Sequence, residues 1–99
     1  MTAEIRRYLV AYDISLDRTR SRVAKVLKSY GSRAQFSVFL VDLPPAKTQR
    51  MLASVKELID ASSDSVMVCD LGPVDDFGKK RFNYLGAVQE TPEDGPLVV

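Results

Sequence analysis

One carboxylate ends an apolar run near the start of the chain. Residues 8–12 read Tyr-Leu-Val-Ala-Tyr and lead directly into Asp13, which predicts a buried strand that ends in an aspartate. Charged side chains are almost never fully buried unless they are paired or bind a metal. Asp13 is therefore either a polar strand end without further role or the centre of a site that water and ligands can reach.

The composition limits the chemistry that such a site could perform. The 99 residues include no histidine and a single cysteine, Cys69. This excludes a histidine general base, a histidine metal site, an intrachain disulfide and a cysteine metal cluster within one protomer. Any catalysis must use carboxylates, hydroxyls, tyrosines or a carboxylate-bound metal. Cys69 lies in an apolar run, and we expect it to be a small core residue.

Positive charge is concentrated near the N-terminus. Residues 1–33 carry eight Lys/Arg against three Asp/Glu, a net charge of +5, whereas residues 34–99 carry −4. Arg18, Arg20 and Arg22 follow Asp13 two residues apart, so on a helix they spread around its axis. Arg18 and Arg22 share one face, and Lys25 extends that stripe by one more turn. Such a basic segment is typical of a phosphate-binding face, but a solvated or ion-paired helix surface has the same composition.

Apolar spacing and turn residues predict the elements that position these side chains. Asp17 or Ser15 is expected to cap the first helix, and Gly31 to close it. The predicted elements are a strand over 6–13, a helix over 18–30, two strands within 33–43 divided by a bend at 35–37, a helix from Pro44-Pro45 to about residue 61, a strand over 65–71 ended by Gly72-Pro73, and a short strand over 81–85.

This order predicts a ferredoxin-like α+β sandwich, βαββαβ with an extra C-terminal strand, in which two helices cover one face of an antiparallel sheet. The central strands carry consecutive apolar residues, which indicates burial on both faces. A second copy would supply that burial in a twofold homodimer, and the extra strand could pair with the partner's sheet edge. We expect a domain over 1–86 and an acidic tail over 87–99, whose end, Leu97-Val98-Val99, could add a strand to a partner.

The chain lacks the features of a membrane or exported protein. No apolar run approaches the ~20 residues that span a bilayer, and the N-terminus shows no signal-peptide pattern because its apolar run is short and ends in Asp13. We therefore expect a cytoplasmic protein without a membrane partner.

Residues 8–71 resemble the second CRISPR-associated protein family, the small partner of the integrase in spacer acquisition. The resemblance rests on four pieces in matching order: the strand ending Tyr12-Asp13-Ile14, the helix with spaced arginines, the turn Tyr30-Gly31, and Arg33-x-Gln35-x-Ser37-Val38-Phe39.

The resemblance implies a ferredoxin-like homodimer with metal-dependent endonuclease activity on RNA or double-stranded DNA, which also bridges the integrase dimers of CRISPR adaptation. It places the catalytic, metal-binding aspartate at Asp13, shared with the partner copy around Mg²⁺ or Mn²⁺. Mg²⁺ is often held by only one or two carboxylates and several waters. The nucleic-acid-binding residues would be Arg18, Arg20, Arg22 and Arg33, with Tyr12, Ser37 and Phe39 in support.

Several of these residues have plain alternatives. Phe39 is typical of core packing, Tyr12 could donate a hydrogen bond near the site or pack in the core, and Ser37 could support a ligand or be an ordinary strand residue. Acidic residues Asp42 and Asp75-Asp76 are interpreted as strand-end or loop groups, and Lys79-Lys80-Arg81 as either a solvated cluster or a DNA contact.

At the level of function, three alternatives to a CRISPR-associated endonuclease stay open. The first is a non-catalytic DNA-binding scaffold, in which the Asp13 pair has no chemical role. The second is a toxin-type ribonuclease of the virulence-associated family, which shares the fold. The third is a ferredoxin-like regulatory domain that binds a small molecule, although the sequence has no Gly-rich phosphate loop.

Overall fold

Four antiparallel strands form one sheet, and two helices pack together on one of its faces. The computed structural model describes residues 4–74 and 83–87. The elements are β1 (Arg6–Asp13), α1 (Asp17–Tyr30), β2 (Ser32–Gln35), β3 (Val38–Leu43), α2 (Pro45–Leu58) and β4 (Ser65–Pro73). The α+β class and the ferredoxin-like order of elements predicted from the sequence are confirmed.

The strand order is β2-β3-β1-β4, so that β1 is a central strand with partners on both sides. Val10 of β1 lies opposite Phe39 of β3 and Val68 of β4. β1 pairs with β3 as far as Ala11 and with β4 to its last residue, which lies opposite Ser65 and is thereby held at one end of the sheet. That residue is Asp13.

Side chains alternate along β1 between the two faces of the sheet. Tyr8, Val10 and Tyr12 are buried, whereas Asp13 is exposed. The three buried residues belong to the hydrophobic core. Each of the two helices covers this core with its apolar face. The remaining buried core residues are Ile14, Val23, Ala24, Leu27, Phe39, Val41, Leu43, Met51 and Val55.

The other face of the sheet, which we call the open face, carries the alternate residues of the same strands. Leu9 and Ala11 of β1 lie opposite Cys69 and Met67 of β4, and Asp13 lies opposite Ser65. Met67 is 57% exposed, and Cys69 is exposed as well. The prediction that Cys69 is a core residue is therefore wrong for the protomer, because β4 is an edge strand and Cys69 points away from the helices.

Gly31 joins α1 to β2 at a very close approach of two backbones. Its amide donates to the Leu27 carbonyl at 2.9 Å, which closes the helix as predicted. A Cβ at this position would overlap the carbonyl oxygen of Leu40 and lie 2.5 Å from Cγ1 of Val41. Glycine is thus required here by space, since its extended φ of −159° suits any residue.

Other boundaries confirm or correct the sequence interpretation. The predicted bend at 35–37 is confirmed as the β2–β3 turn, and Pro45 begins α2. The N-cap of α1 is Leu16, without a side-chain cap; Asp17 is already in the first turn, so the predicted cap is wrong. Gly72 and Pro73 do not break β4 after residue 71 as predicted; a register shift between Arg7 and Tyr8 lets them pair with Arg7 and Arg6, and the strand ends at Pro73.

The C-terminal predictions fall mainly outside the described residues. This holds for Asp75-Asp76, for Lys79-Lys80-Arg81 and for all of the 87–99 tail except Ala87. Of the predicted strand over 81–85, the structure describes residues 83–85, which are not in a strand. Neither helix within 4–74 is long and apolar enough to cross a bilayer.

Candidate functional site

Asp13 ends β1 with its carboxylate in solvent. The structure describes six aspartates, and five of them have a hydrogen-bond or salt-bridge partner for the carboxylate: Asp17, Asp42, Asp60, Asp64 and Asp70. Within the described residues, the Asp13 carboxylate has no partner. A negative charge held at the end of a central strand without an intramolecular partner is available to a cation.

The carboxylates of the other described aspartates are already bonded, as Asp42 and Asp70 illustrate. Arg7 donates to Asp42 through Nε at 2.6 Å and Nη2 at 2.7 Å. Hydrogen bonds from the Arg6 guanidinium and from the Gly72 amide lower the pKa of Asp70. The interpretation of Asp42 as a strand residue rather than a metal ligand agrees with this bidentate pair.

The loop after Asp13 is held by Arg20 from the first turn of α1. Its Nη1 donates to the carbonyl oxygen of Ile14 at 2.7 Å and to that of Ser15 at 3.0 Å. Its Nη2 also pairs with Asp17. Arg20, predicted as a nucleic-acid-binding residue, is thus engaged in bonds that fix the backbone directly after Asp13.

Tyr12 ties the β2–β3 turn to the end of β1. Its backbone amide donates to the Ser37 carbonyl at 3.1 Å, and its hydroxyl donates to the Phe36 carbonyl at 3.5 Å. Its ring stacks on Phe39, with centroids 6.3 Å apart. Phe39 is fully buried, so it supports Tyr12 from the core, and Ser37 takes part through its backbone.

Arg33 lies on the edge strand β2, above two aromatic rings. Its Cζ is 5.2 Å from the centroid of Phe39 and 5.8 Å from that of Phe36. Within the part of the chain that the structure describes, Arg33 forms no salt bridge. The aromatic rings hold the guanidinium in place by cation–π attraction and leave its charge uncompensated by a carboxylate.

The other predicted arginines lie on the outside of α1. Arg18, Arg22 and Lys25 are all exposed, and none of them has a partner among the described residues. Arg22 and Lys25 flank a shallow depression against Leu58 of α2. Three cations in solvent on one helix favour long-range attraction of a polyanion.

A metal could use Asp13 as a hard oxygen ligand. Residues 4–74 and 83–87 contain no cluster of three or more histidine, cysteine, aspartate or glutamate side chains that could hold a metal. A single carboxylate nevertheless fits Mg²⁺, which keeps several waters and binds one or two carboxylates. Among residues 4–74 and 83–87, one protomer therefore brings one unpartnered aspartate to this strand end.

Two features of this region were absent from the sequence-based prediction. The first is the bonding of Arg20 to backbone carbonyls, for which the spacing of arginines gives no signal. The second is Phe36, which is 72% exposed in the β2–β3 turn and which the sequence places only within the predicted strands of 33–43. Its neighbour Gln35 ends β2, and its other neighbour, Ser37, lies in the turn. A position between two polar residues at a turn is the one sequence signal that could have placed Phe36 in solvent.

Comparison with known proteins agrees with the fold and extends over most of the chain. A family model described as "CRISPR associated protein Cas2" matches residues 6–77. A Rhodospirillum rubrum protein named "CRISPR-associated endoribonuclease Cas2 4" is 37% identical, covering 94% of this chain and 73% of the relative. A Thermus thermophilus protein named "CRISPR-associated endonuclease Cas2 2" is 38% identical, covering 64% of this chain and 70% of the relative.

Solved structures give the same result. The crystal structure of Streptococcus pyogenes Cas2 is similar with a TM-score of 0.72 and 29% identity, covering 81% of this chain and 99% of that one. A hypothetical protein from Thermus thermophilus is similar with a TM-score of 0.72 and 33% identity, covering 88% and 98% of the two chains.

Proposed function

The chain belongs to the CRISPR-associated Cas2 family, and from this premise we propose that it is a metal-dependent endonuclease of spacer acquisition, with Asp13 as the metal-binding carboxylate. Relatives are named as an endoribonuclease and an endonuclease. The substrate would be RNA or double-stranded DNA, handled in the cytoplasm. The observation that carries the proposal is that Asp13, alone among the described aspartates, has a carboxylate without a partner.

The reaction would be hydrolysis of a phosphodiester bond. Asp13 would hold Mg²⁺ or Mn²⁺, which would lower the pKa of a coordinated water and stabilise charge on the phosphate. Asp13 contributes a fixed oxygen ligand, and Arg20 keeps the following loop in place through the Ile14 carbonyl. Arg33 and the exposed cations of α1 would bind the phosphates on either side of the reacting one.

We propose that the active form is a homodimer. Leu9, Ala11, Met67 and Cys69 give the open face an apolar centre, and Asp13 lies at one end of the same face. Packing two open faces around a twofold axis would bury this apolar surface. It would also supply a second Asp13, and thereby a second carboxylate for the same metal ion.

A scaffold role is the second candidate, and the exposed cations on α1 favour it. Arg18, Arg22 and Lys25 can bind duplex backbone without reading sequence, which suits an adaptor between integrase dimers that holds DNA of any sequence. The two roles are compatible in one protein. They differ in whether Asp13 is needed.

The deciding experiment compares the native chain with Asp13→Asn for cleavage of labelled RNA and duplex DNA, with Mg²⁺ and with EDTA. Glu57→Gln is the matched control, because Glu57 is also an exposed carboxylate without a partner among the described residues but lies on α2. We expect cleavage that requires both Mg²⁺ and Asp13 and survives in the control. Equal cleavage by native protein and Asp13→Asn would overturn the nuclease proposal, and binding of integrase by Asp13→Asn would then support the scaffold.

A further inference from the structure

A shallow groove of about 420 Å³ lies between α1 and the end of α2. Its apolar floor consists of Val26 of α1 and Leu58, the last residue of α2. Both side chains pack against the hydrophobic core and are only partly buried. This α1–α2 groove therefore leaves apolar surface open to solvent on the helix layer of the molecule.

Positive charge lies at one end of the groove. Arg22 and Lys25 are exposed and one turn apart on α1, and neither forms a salt bridge within the described residues. Ser29, at the other end on α1, donates its hydroxyl to the Val26 carbonyl at 2.6 Å. A segment with acidic residues followed by apolar ones would match this arrangement in charge and in polarity.

The C-terminal residues of this chain have that order of chemistry. Residues 88–99 carry three acidic side chains and no basic one, and the pair Glu93-Asp94 precedes Leu97-Val98-Val99. The ten residues from 88 to 97 span up to about 35 Å when extended, and the molecule measures 42 × 36 × 18 Å. The segment is thus long enough to return to the helices. Because a short tether gives a local concentration in the millimolar range, weak affinity is sufficient for docking.

Spacing within this segment also matches spacing along α1. Residues 94 and 97 of an extended chain lie about 10 Å apart, since each residue adds about 3.3 Å. Arg22 and Ser29, at the two ends of the groove, are likewise about 10 Å apart, because a helix rises about 1.5 Å per residue. Carboxylates placed at the cationic end would therefore bring Leu97 over the apolar floor.

We propose that residues 93–98 dock in the α1–α2 groove of their own copy, with the acidic pair on the two cations and Leu97 on the apolar floor. The docked segment occupies cations that would otherwise bind the nucleic-acid backbone, so it competes with duplex DNA for the helix layer. The competition rests on the proposed nucleic-acid-binding function, whereas the docking itself does not.

The test of docking measures how fast Lys25 reacts with a small acetylating reagent in the full chain without nucleic acid. Lys56 is the internal reference, because it is exposed on α2 and does not line the groove. Leu97→Ser should raise the Lys25 rate relative to Lys56 about threefold, as expected when a tethered segment is docked about two-thirds of the time. The double variant Glu93→Gln/Asp94→Asn should do the same. In the native chain, about 1 M salt should also raise the rate, since the Debye length is then about 3 Å.

Glu90→Gln is the matched control, because it removes a negative charge of the same segment outside residues 93–98. Docking is overturned if the Lys25 rate is the same in the native chain and in both variants, as it would be if these residues paired with a sheet edge or bound another protein. An equal effect of Glu90→Gln would also overturn it. So would loss of protection on dilution, since another copy would then supply the segment.

A separate measurement tests the competition. Duplex DNA at low salt should bind Leu97→Ser about threefold more tightly than the native chain, the same factor as for Lys25. This variant keeps every charge of residues 88–99, so weaker repulsion of DNA cannot explain the gain. Equal affinities together with a faster Lys25 reaction would overturn the competition. If no duplex binds to either protein, the proposed nucleic-acid-binding function fails, and the Lys25 rates still decide the docking.

Discussion

Arg20 donates a hydrogen bond of 2.7 Å to the carbonyl oxygen of Ile14, the residue that follows Asp13. A helix side chain thus holds the backbone next to the candidate metal ligand. Arg20 therefore has a structural role, whereas the exposed arginines of the same helix, Arg18 and Arg22, are available to bind phosphates. The two kinds of arginine can be separated by experiment.

Replacing Arg20 by alanine should lower both stability and cleavage. The variant leaves the Ile14 and Ser15 carbonyls without their donor, and we expect a loss of about 1–3 kcal/mol in the free energy of unfolding. Arg20→Lys should restore little, because lysine lacks the planar set of donors. Urea unfolding and cleavage rates check this. In Arg18→Ala, the exposed comparison, unfolding should be unchanged; a native-like Arg20→Ala would contradict the positioning role.

Removing Arg22 should weaken nucleic-acid binding without a change in stability. For duplex DNA, we expect the slope of log affinity against log salt to fall by about 0.9 for the one lost phosphate contact. The loss should be the same for unrelated sequences. Titrations at several salt concentrations measure it. Lys56→Ala, on α2, should retain the full slope, and a retained slope in Arg22→Ala would place the phosphates elsewhere.

Gly31→Ala should be strongly destabilising. The added methyl group would meet the Leu40 carbonyl and the Val41 side chain, and overpacking of this kind costs about 1–3 kcal/mol or more. Thermal unfolding measures the effect. Gly86→Ala is a useful comparison, because its Cβ meets open space and only its positive φ of 83° opposes alanine. Equal losses in the two variants would show that crowding at Gly31 is unimportant.

Acid should remove the contribution of the Arg6–Asp70 pair. The pKa of Asp70 is lowered in the folded state by the Arg6 hydrogen bond and then by the Gly72 amide. Its stabilisation is therefore complete above the ordinary aspartate pKa of about 3.9 and is lost as the pH falls through the lower folded value. The stability difference between native protein and Asp70→Asn should shrink over that acidic range. A constant difference from neutral pH into acid would contradict this assignment.

A charge on the open face should dissociate the proposed homodimer. Met67→Asp places a carboxylate at the apolar centre of that face, where burial without a partner is costly. Sedimentation should show monomers for this variant and dimers for Met67→Leu, which keeps the apolar surface. Dimers of Met67→Asp as stable as those of the native chain would mean that copies associate through another surface.

The sequence alone was sufficient for the order of elements from β1 to β4 and for the place of Asp13, but the strand expected over 81–85 is absent from its described residues, 83–85. Apolar alternation and helical spacing carry that information, because they reflect which faces are buried. The same patterns failed for Cys69, since an apolar run does not reveal whether its strand is central or at an edge. They also failed for the start of α1, where Leu16 takes the cap position although Ser15 and Asp17 are the better capping residues.

The candidate site could be predicted only in part, for a related reason. The arginine spacing on α1 indicated a basic helix, but the acceptors of Arg20 are backbone carbonyls, which every residue possesses. Likewise, Phe36 and Phe39 are both aromatic residues in a β-rich segment, yet Phe36 is exposed in the β2–β3 turn and Phe39 is buried in the core. Their environments are decided by the turn between β2 and β3 and by its bonds to Tyr12.

The alternation at the end of β1 constrains how the sequence of this protein can change. Tyr12 and Asp13 are neighbours in the chain but serve opposite surfaces, so inserting or deleting one residue in β1 would exchange their sides. The tyrosine would lose the turn that it holds, and the carboxylate would point into the core. Length changes in this strand should therefore be tolerated only in steps of two residues, because a change of one residue moves the carboxylate to the wrong face of the sheet.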